Sequence, residues 1–344
     1  MQYGDVRVIK EALLKVIDQK KNLTSEEVSA AMDEIMSGLT PPSLIAAFLV
    51  ALRIKGETVE EITGAAESMR KNAIFIKTKH KNVVDTCGTG GDKSDTFNVS
   101  TTAAFVVAGA GVPVAKHGNR AVSSKCGSAD LVEALGVKIE LPPEKISKCL
   151  DETGMAYLFA PLLHVSMKYV APVRKELGIR TIFNMIGPLA NPAKVKAQVL
   201  GVFSEKLMED YIGVLKKLGH SHAFVVHGAD NLDEISITGE TKIIELKDNK
   251  IIKYTIKPED FGIKRAKLSD IKGGDIKKNA AITLDILDGV PGVYADTAIL
   301  NAAAGIVAGG KAKNLKEGVE LARRSITSGA ALKVLKDLVE CSNS

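Results

Sequence analysis

After Lys81 the chain alternates between short apolar runs and helical runs, and the first two apolar runs open into loops of glycine, serine and asparagine. Val83-Val84 leads into DTCGTGGD and then the helical run STTAAFVVAGAG. Val112-Pro-Val-Ala115 follows and leads into a second loop of the same texture. Strands that alternate with helices predict an α/β domain built on a largely parallel central sheet. Further strands are expected at 197–203 and 223–226, with a hairpin at 242–246 and 251–256 around Asp248-Asn249. Helices are expected over 296–308 and 315–325. There is no internal repeat, low-complexity tract or heptad pattern.

The residues before this alternation read differently. Thr24 followed by Glu27, and Thr58 followed by Glu61, are capping boxes in which hydroxyl and carboxylate each satisfy an orphan backbone group. The first of these helices should stop at Gly38, and the helix opened at Thr58 should end near Asn72. Between them a helix starts at Pro41-Pro42 and carries SLIAAFLVAL before Gly56. That middle helix is apolar almost all round, so one face is expected to meet something outside its own small domain, with a second copy of the chain as candidate. The expected organisation is a helical domain over 1–72, joined by a helical return near 166–184, and an α/β domain over 73–344.

Composition narrows the function classes. With 45% hydrophobic and 25% charged residues the 344-residue chain can bury a sizeable core. Its 46 Lys and Arg against 41 Asp and Glu leave a net charge of +5, too small and scattered to argue for nucleic acid. No apolar stretch reaches the roughly 18 residues of a membrane span, and charges interrupt the N-terminus, which does not read as a secretory signal. Cys87, Cys126, Cys149 and Cys341 lie far apart without C-x-x-C spacing, so free thiols and a cytoplasmic location are expected.

Three loops carry chemistry. In 85–92, glycines let the backbone approach a ligand and successive N–H groups can cradle an anion. Asn98, Ser100 and Thr101 stand where the next helix begins and can add donors to phosphate oxygens. Neither a Walker A loop nor a dinucleotide fingerprint fits, because Lys93-Ser94 follows Asp92 and position 93 is not glycine. The second loop, KHGNRAVSSKCGSAD at 116–130, opens with Lys116, a point charge suited to phosphate. The third holds Asp233-Glu234; near two phosphate loops such a pair is a candidate Mg²⁺ site, since Mg²⁺ takes one or two carboxylates plus substrate phosphates and water.

Taken in order, GTGGD at 88–92, NVSTT at 98–102, KHGNRAVSSKCGSADLVEALG at 116–136, VRKELGIRTIFNMIGPLANP at 173–192 and HGADNLDEIS at 227–236 resemble the anthranilate phosphoribosyltransferase family. The resemblance runs from the N-terminal helices to about residue 335. It implies the nucleoside phosphorylase-like transferase fold, a homodimer formed through the helical domain, and a step of tryptophan biosynthesis: transfer of phosphoribosyl from phosphoribosyl pyrophosphate (PRPP) to the amine of anthranilate. At matching positions it implies that Gly88, Gly91, Asp92, Thr96, Asn98, Ser100, Thr101, Lys116 and Ser128 hold PRPP. Ser100, Asp233 and Glu234 would hold Mg²⁺, two ions per site. Gly88, His117, Asn119, Arg174, Gly187 and Pro188 would line the anthranilate side, with Arg174, Lys116 and Asn119 closest to the chemistry.

The chain departs from the family pattern at Leu163 and Val165, where a His and a Pro are usual, and this bears on the shape of the aromatic-acid entrance. Cys126 replaces a frequent Ser almost isosterically. Arg180 and Asn184 are read as structural residues joining the two domains. A pyrimidine nucleoside phosphorylase would share the fold, but its glycine-rich signature is missing. A nucleic-acid-binding relative would need a larger positive excess and no carboxylate pair.

Overall fold

The computed structural model describes residues 6–121 and 125–344. Four helices open the chain: α1 (Arg7–Ile17), α2 (Ser25–Met36), α3 (Pro42–Lys55) and α4 (Val59–Lys71). Both capping boxes form, with Thr24 and Thr58 each exchanging hydrogen bonds with the residue three places on. The Glu61 carboxylate does more than cap. It is fully buried and also accepts the Leu23 N–H at 2.9 Å and the Lys55 ammonium at 2.8 Å, which ties α4 to both preceding segments. Helix α3 buries Ile45, Phe48, Leu49 and Leu52 while Ile54 stays 81% exposed, so its apolar surface is only partly used within the chain.

The α/β part runs β1 (Val84–Gly88), α5 (Val99–Gly109), β2 (Val114–Gly118), α6 (Ser128–Ala134), α7 (Pro143–Thr153) and β3 (Met155–Phe159). The chain then passes through α8 (Ala160–Leu163), α9 (Ala171–Leu177) and α10 (Ile182–Ile186) to β4 (Ala197–Gly201), α11 (Met208–Lys217) and β5 (His222–Gly228). The hairpin β6 (Thr241–Lys247) and β7 (Lys250–Ile256) turns on Asp248 and Asn249, both with positive φ as a two-residue turn matched to strand twist requires. Helices α12 (Ile276–Leu287), α13 (Val293–Ala308), α14 (Leu315–Thr327) and α15 (Ala330–Asn343) complete it.

Among the described residues the strands form one sheet in the order β3-β2-β1-β4-β5-β6-β7, with β1 to β5 parallel and the last two antiparallel. The chain builds outward from β1 through β2 to β3, then returns to the other side of β1 for β4. The sheet therefore has its topological switch between β1 and β4, where an open α/β sheet leaves a crevice beyond the strand ends. One face packs on α5, α13 and α14 in a single core. The other shares a core with the N-terminal helices: Leu200, Val202, Ala223 and Val225 are buried together with Phe48, Ile62 and Met69, and with Val170, Val173, Ile182 and Phe183 from the return.

The sequence reading left β3 unmarked. Met155–Phe159 is buried on both faces and merges with the apolar residues of α8, so it shows no alternation by which a strand could be told from a buried helix.

His220, in the turn before β5, is buried with Nδ1 against the Leu215 carbonyl at 3.0 Å and with no partner for Nε2. Burial, helped by Arg70, drives its pKa down to about 3. The unfolded chain therefore takes up a proton on this imidazole as pH falls below about 6.5, while the folded chain does not. The stability it allows is present above that pH and declines toward pH 3. Relative to His220→Gln, the native protein should lose about 1.4 kcal/mol of unfolding free energy per pH unit between pH 6 and 5. Urea titrations at the two pH values check this; parallel losses would mean that His220 charges within the folded state.

Candidate active site at the switch between β1 and β4

Gly88 and Gly201 are register partners at the carboxyl ends of β1 and β4. An alanine Cβ at Gly88 would overlap the Asp233 carboxylate, and one at Gly201 would overlap the Asp233 carbonyl oxygen. Two missing side chains thus let the 232–235 segment cross directly over the switch point. The Gly90 N–H then donates to Asp233 Oδ2 at 2.7 Å, and the Ser100 N–H, in the first turn of α5, donates to Glu234 Oε1 at 3.2 Å. The first and third loops of the sequence are one structure.

Asp92 lies beside this group as a carboxylate neighbour of Asp233. Burial first, and then its carboxylate neighbours Asp92 and Asp233, push Asp233 and Glu234 respectively above the usual carboxylate range. Converging acids whose ionised forms are this disfavoured suit a divalent cation, which would offset the repulsion. Among the described residues no three His, Cys, Asp or Glu side chains form a ready-made metal cage.

Lys116, at the end of β2, is 2% exposed. Its ammonium donates to the Thr86 carbonyl at 2.5 Å and reaches Ser100 Oγ at 3.4 Å. It lies beneath the crevice and eases the ionisation of both Asp85 and Glu234. Asp85 is fully buried, and desolvation lifts its pKa to about 6 despite Lys116 and hydrogen bonds from Asn191 Nδ2 at 2.8 Å and the His117 N–H at 3.3 Å. Asp85, Asn191 and Gly201 were missed as functional residues. Asn191 stood in the quoted run 173–192, and Gly201 ended an expected strand, but only the fold puts them at the crevice.

The other expected PRPP residues surround this centre. Thr96 pairs with Lys272 and its hydroxyl meets Ser94 Oγ at 3.2 Å, which pins the far end of the glycine loop. Asn98 donates to the Cys126 carbonyl at 3.1 Å and leaves its buried Oδ1 without a partner. Thr101 is buried inside α5. Ser128, at the start of α6, shares a 2.8 Å hydrogen bond with the Tyr157 hydroxyl and donates to the Asn119 carbonyl at 3.3 Å. Ser123 and Ser124 of the second loop lie outside the described residues.

The acceptor-side candidates come from the ends of β1 and β2, from α9 and from the turn after α10. His117 meets His164 with 3.2 Å between their Nε2 atoms, and the His117 ring is also tied to the backbone of Gly187. Burial holds both imidazoles neutral, His164 at a pKa of about 4. The Pro188 carbonyl is fixed by Gln198 Nε2 at 2.6 Å. Arg174 on α9 lies over the Phe183 ring at 5.4 Å, and burial lowers its pKa. Asn119 accepts the Arg120 N–H within its own loop. Leu163 is buried in a small cluster with Ile76 and Ala115, whereas Val165 is exposed. The departures from the family pattern therefore flank His164, whose imidazole remains in place.

Two family models cover the chain: a glycosyl transferase family helical bundle domain over 10–73 and a glycosyl transferase family a/b domain over 80–332. An anthranilate phosphoribosyltransferase from Pelotomaculum thermopropionicum is 54% identical over 97% of this chain and 96% of its own length. The crystal structure of anthranilate phosphoribosyltransferase from Thermus thermophilus superimposes with a TM-score of 0.91 at 43% identity, over 98% of this chain and 99% of the other. The Saccharomyces cerevisiae enzyme in complex with PRPP and Mg gives 0.88 at 29% identity, over 97% and 98%. The same yeast enzyme in complex with 4-fluoroanthranilate also gives 0.88 at 29% identity, over 98% and 99%.

Proposed function

The chain belongs to the anthranilate phosphoribosyltransferase family, and from that premise we propose how its crevice performs the transfer. The reaction joins the amine of anthranilate to the anomeric carbon of the PRPP ribose and releases pyrophosphate, a step of tryptophan biosynthesis. The observation that carries the site assignment is the meeting of Gly90, Ser100, Asp233 and Glu234, from separate chain segments, at the β1/β4 switch.

PRPP lies along this crevice. Gly88, Gly91, Asp92, Thr96, Asn98, Ser100, Thr101 and Ser128 form its bed, and Lys116 adds positive charge from below. Asp233 and Glu234, with Ser100, hold Mg²⁺, a cation that the yeast relative's complex with PRPP and Mg supports; two ions per site is our reading. When bound, Mg²⁺ supplies electrostatic stabilisation of the negative charge on the leaving diphosphate. The protein's own part is positioning: an aryl amine is already unprotonated at neutral pH and needs no strong base. Arg174 pairs its planar guanidinium with the anthranilate carboxylate. His117, Asn119, Gly187 and Pro188 line the ring, with His117 kept uncharged.

We read residues 1–72 and the return near 166–184 as one body, since their apolar residues pack together in a core that also takes in one face of the sheet. The partly uncovered α3 supports a homodimer through that body. The cysteines lie far apart in sequence without C-x-x-C spacing, which supports a cytoplasmic location.

The test is loss of anthranilate fluorescence on mixing with PRPP and Mg²⁺, against a metal-free control. Consumption that needs both sustains the reading; PRPP binding without consumption would reject the acceptor. Arg174→Ala should raise the KM for anthranilate on the order of 10- to 100-fold, the scale of a lost charge-assisted hydrogen bond, and leave the KM for PRPP nearly unchanged. Unaltered anthranilate kinetics would remove Arg174 from the carboxylate.

A further inference from the structure

Arg180 has no part in the site described so far. It stands between α9 and α10, exposed, with its guanidinium carbon over the Phe203 ring at 4.5 Å from the centroid. Nη1 lies 3.3 Å from the point where a Gly91 side chain would begin, which puts the guanidinium beside the glycine loop. Arg120, Arg265 and Arg323 are all paired with carboxylates. Arg180 has no ion pair among the described residues.

Three features aim this group at an anion. A cation–π contact takes up no N–H donor of the guanidinium as a hydrogen bond to an acceptor, so its fork remains available to phosphate oxygens. The backbone that carries this ring is tied to the glycine loop, since the Phe203 N–H donates to Thr89 Oγ1 at 3.4 Å. The crevice beyond that loop is lined by Asp92, Asp233 and Glu234, so a diphosphate entering it needs positive charge from the protein as well as from any bound cation. Lys116 supplies such charge from below, and Arg180 is set to supply it from the side of the helical return.

We propose that Arg180 binds the diphosphate of PRPP, its guanidinium held by Phe203 beside Gly91. This rests on the phosphoribosyl-transfer reading and adds a diphosphate-binding residue to it. The experiment is calorimetric titration of inorganic pyrophosphate with Mg²⁺, and of PRPP with Mg²⁺, into the native protein, Arg180→Gln and Arg180→Lys. Arg180→Gln should weaken both Kd values on the order of 10- to 100-fold, the size of a lost charge-assisted interaction. Arg180→Lys should recover only part of this, because an ammonium lacks the fork. The KM for anthranilate should not move, and the melting temperature of these exposed-site variants should stay close to native. Kd values within twofold of native in Arg180→Gln would overturn the proposal, as would weaker PRPP binding with unchanged pyrophosphate binding. If the native protein bound pyrophosphate but consumed no anthranilate, the acceptor reading would fail, and Arg180 would still be judged by the same ratio of Kd values.

Discussion

Gly201→Ala is expected to abolish most turnover, although position 201 contributes no side chain to any substrate. The added methyl would occupy the place of the Asp233 carbonyl oxygen, and backbone atoms cannot swing aside as a long side chain can. The 232–235 segment must lift, and Asp233 and Glu234 move with it away from Gly90 and Ser100. Displacement of reacting groups by about 1 Å commonly costs on the order of 100-fold in rate. We expect kcat/KM for PRPP to fall by at least that factor, with overpacking lowering stability by about 1–3 kcal/mol. Because Arg174, Gly187 and Pro188 stand on other elements, the KM for anthranilate should change less than kcat/KM for PRPP. Activity retained within tenfold would show that the carboxylate segment is not the anchor of the crevice.

Lys116→Met should be nearly as severe, and its signature is in its pH dependence. The ammonium is the buried countercharge that eases ionisation of both Asp85 and Glu234. Removing one partner of a buried charged group costs about 3–5 kcal/mol, because the remaining charge is left without compensation. In the native protein Asp85 already has a folded pKa raised to about 6. A raised folded pKa gives stability that is present below the unfolded value and lost as pH rises through the folded one. Without Lys116 the folded pKa climbs further, so the variant keeps losing stability at pH values where native Asp85 has finished ionising. The gap in unfolding free energy should therefore widen between about pH 6 and 8. Denaturant titrations across that range, with PRPP turnover measured alongside, would expose a constant gap as evidence against this role.

The family and its reaction could be read without coordinates because the chemistry is concentrated in short contiguous runs. GTGGD, NVSTT, KHGN and the Asp233-Glu234 pair each name a residue type that a phosphate or a cation needs, and their order is specific. Helix boundaries were legible for a similar reason: capping boxes at Thr24 and Thr58 are local hydrogen bonds between residues three apart, and they form as written. The 248–249 turn is equally local.

What the chain alone did not disclose are relations between distant segments. Gly201 looks like the end of any strand until the parallel sheet puts it beside Gly88 under the Asp233 segment. Asp85 and Asn191 are 106 residues apart in sequence and 2.8 Å apart in space. Lys116 read as a phosphate-facing charge, yet its ammonium is buried against Thr86 and Ser100. Arg180 read as a structural joint, and only its place over the Phe203 ring turns an ordinary exposed arginine into a directed one. The physical reason is the same in each case. Local hydrogen bonding and residue chemistry are properties of neighbouring residues, so the sequence by itself determined the caps, the loops and the kind of ligand. Burial, electrostatic neighbours and the space left by a missing side chain arise only when the sheet's crossover order stacks remote segments, and that was decided by the tertiary structure.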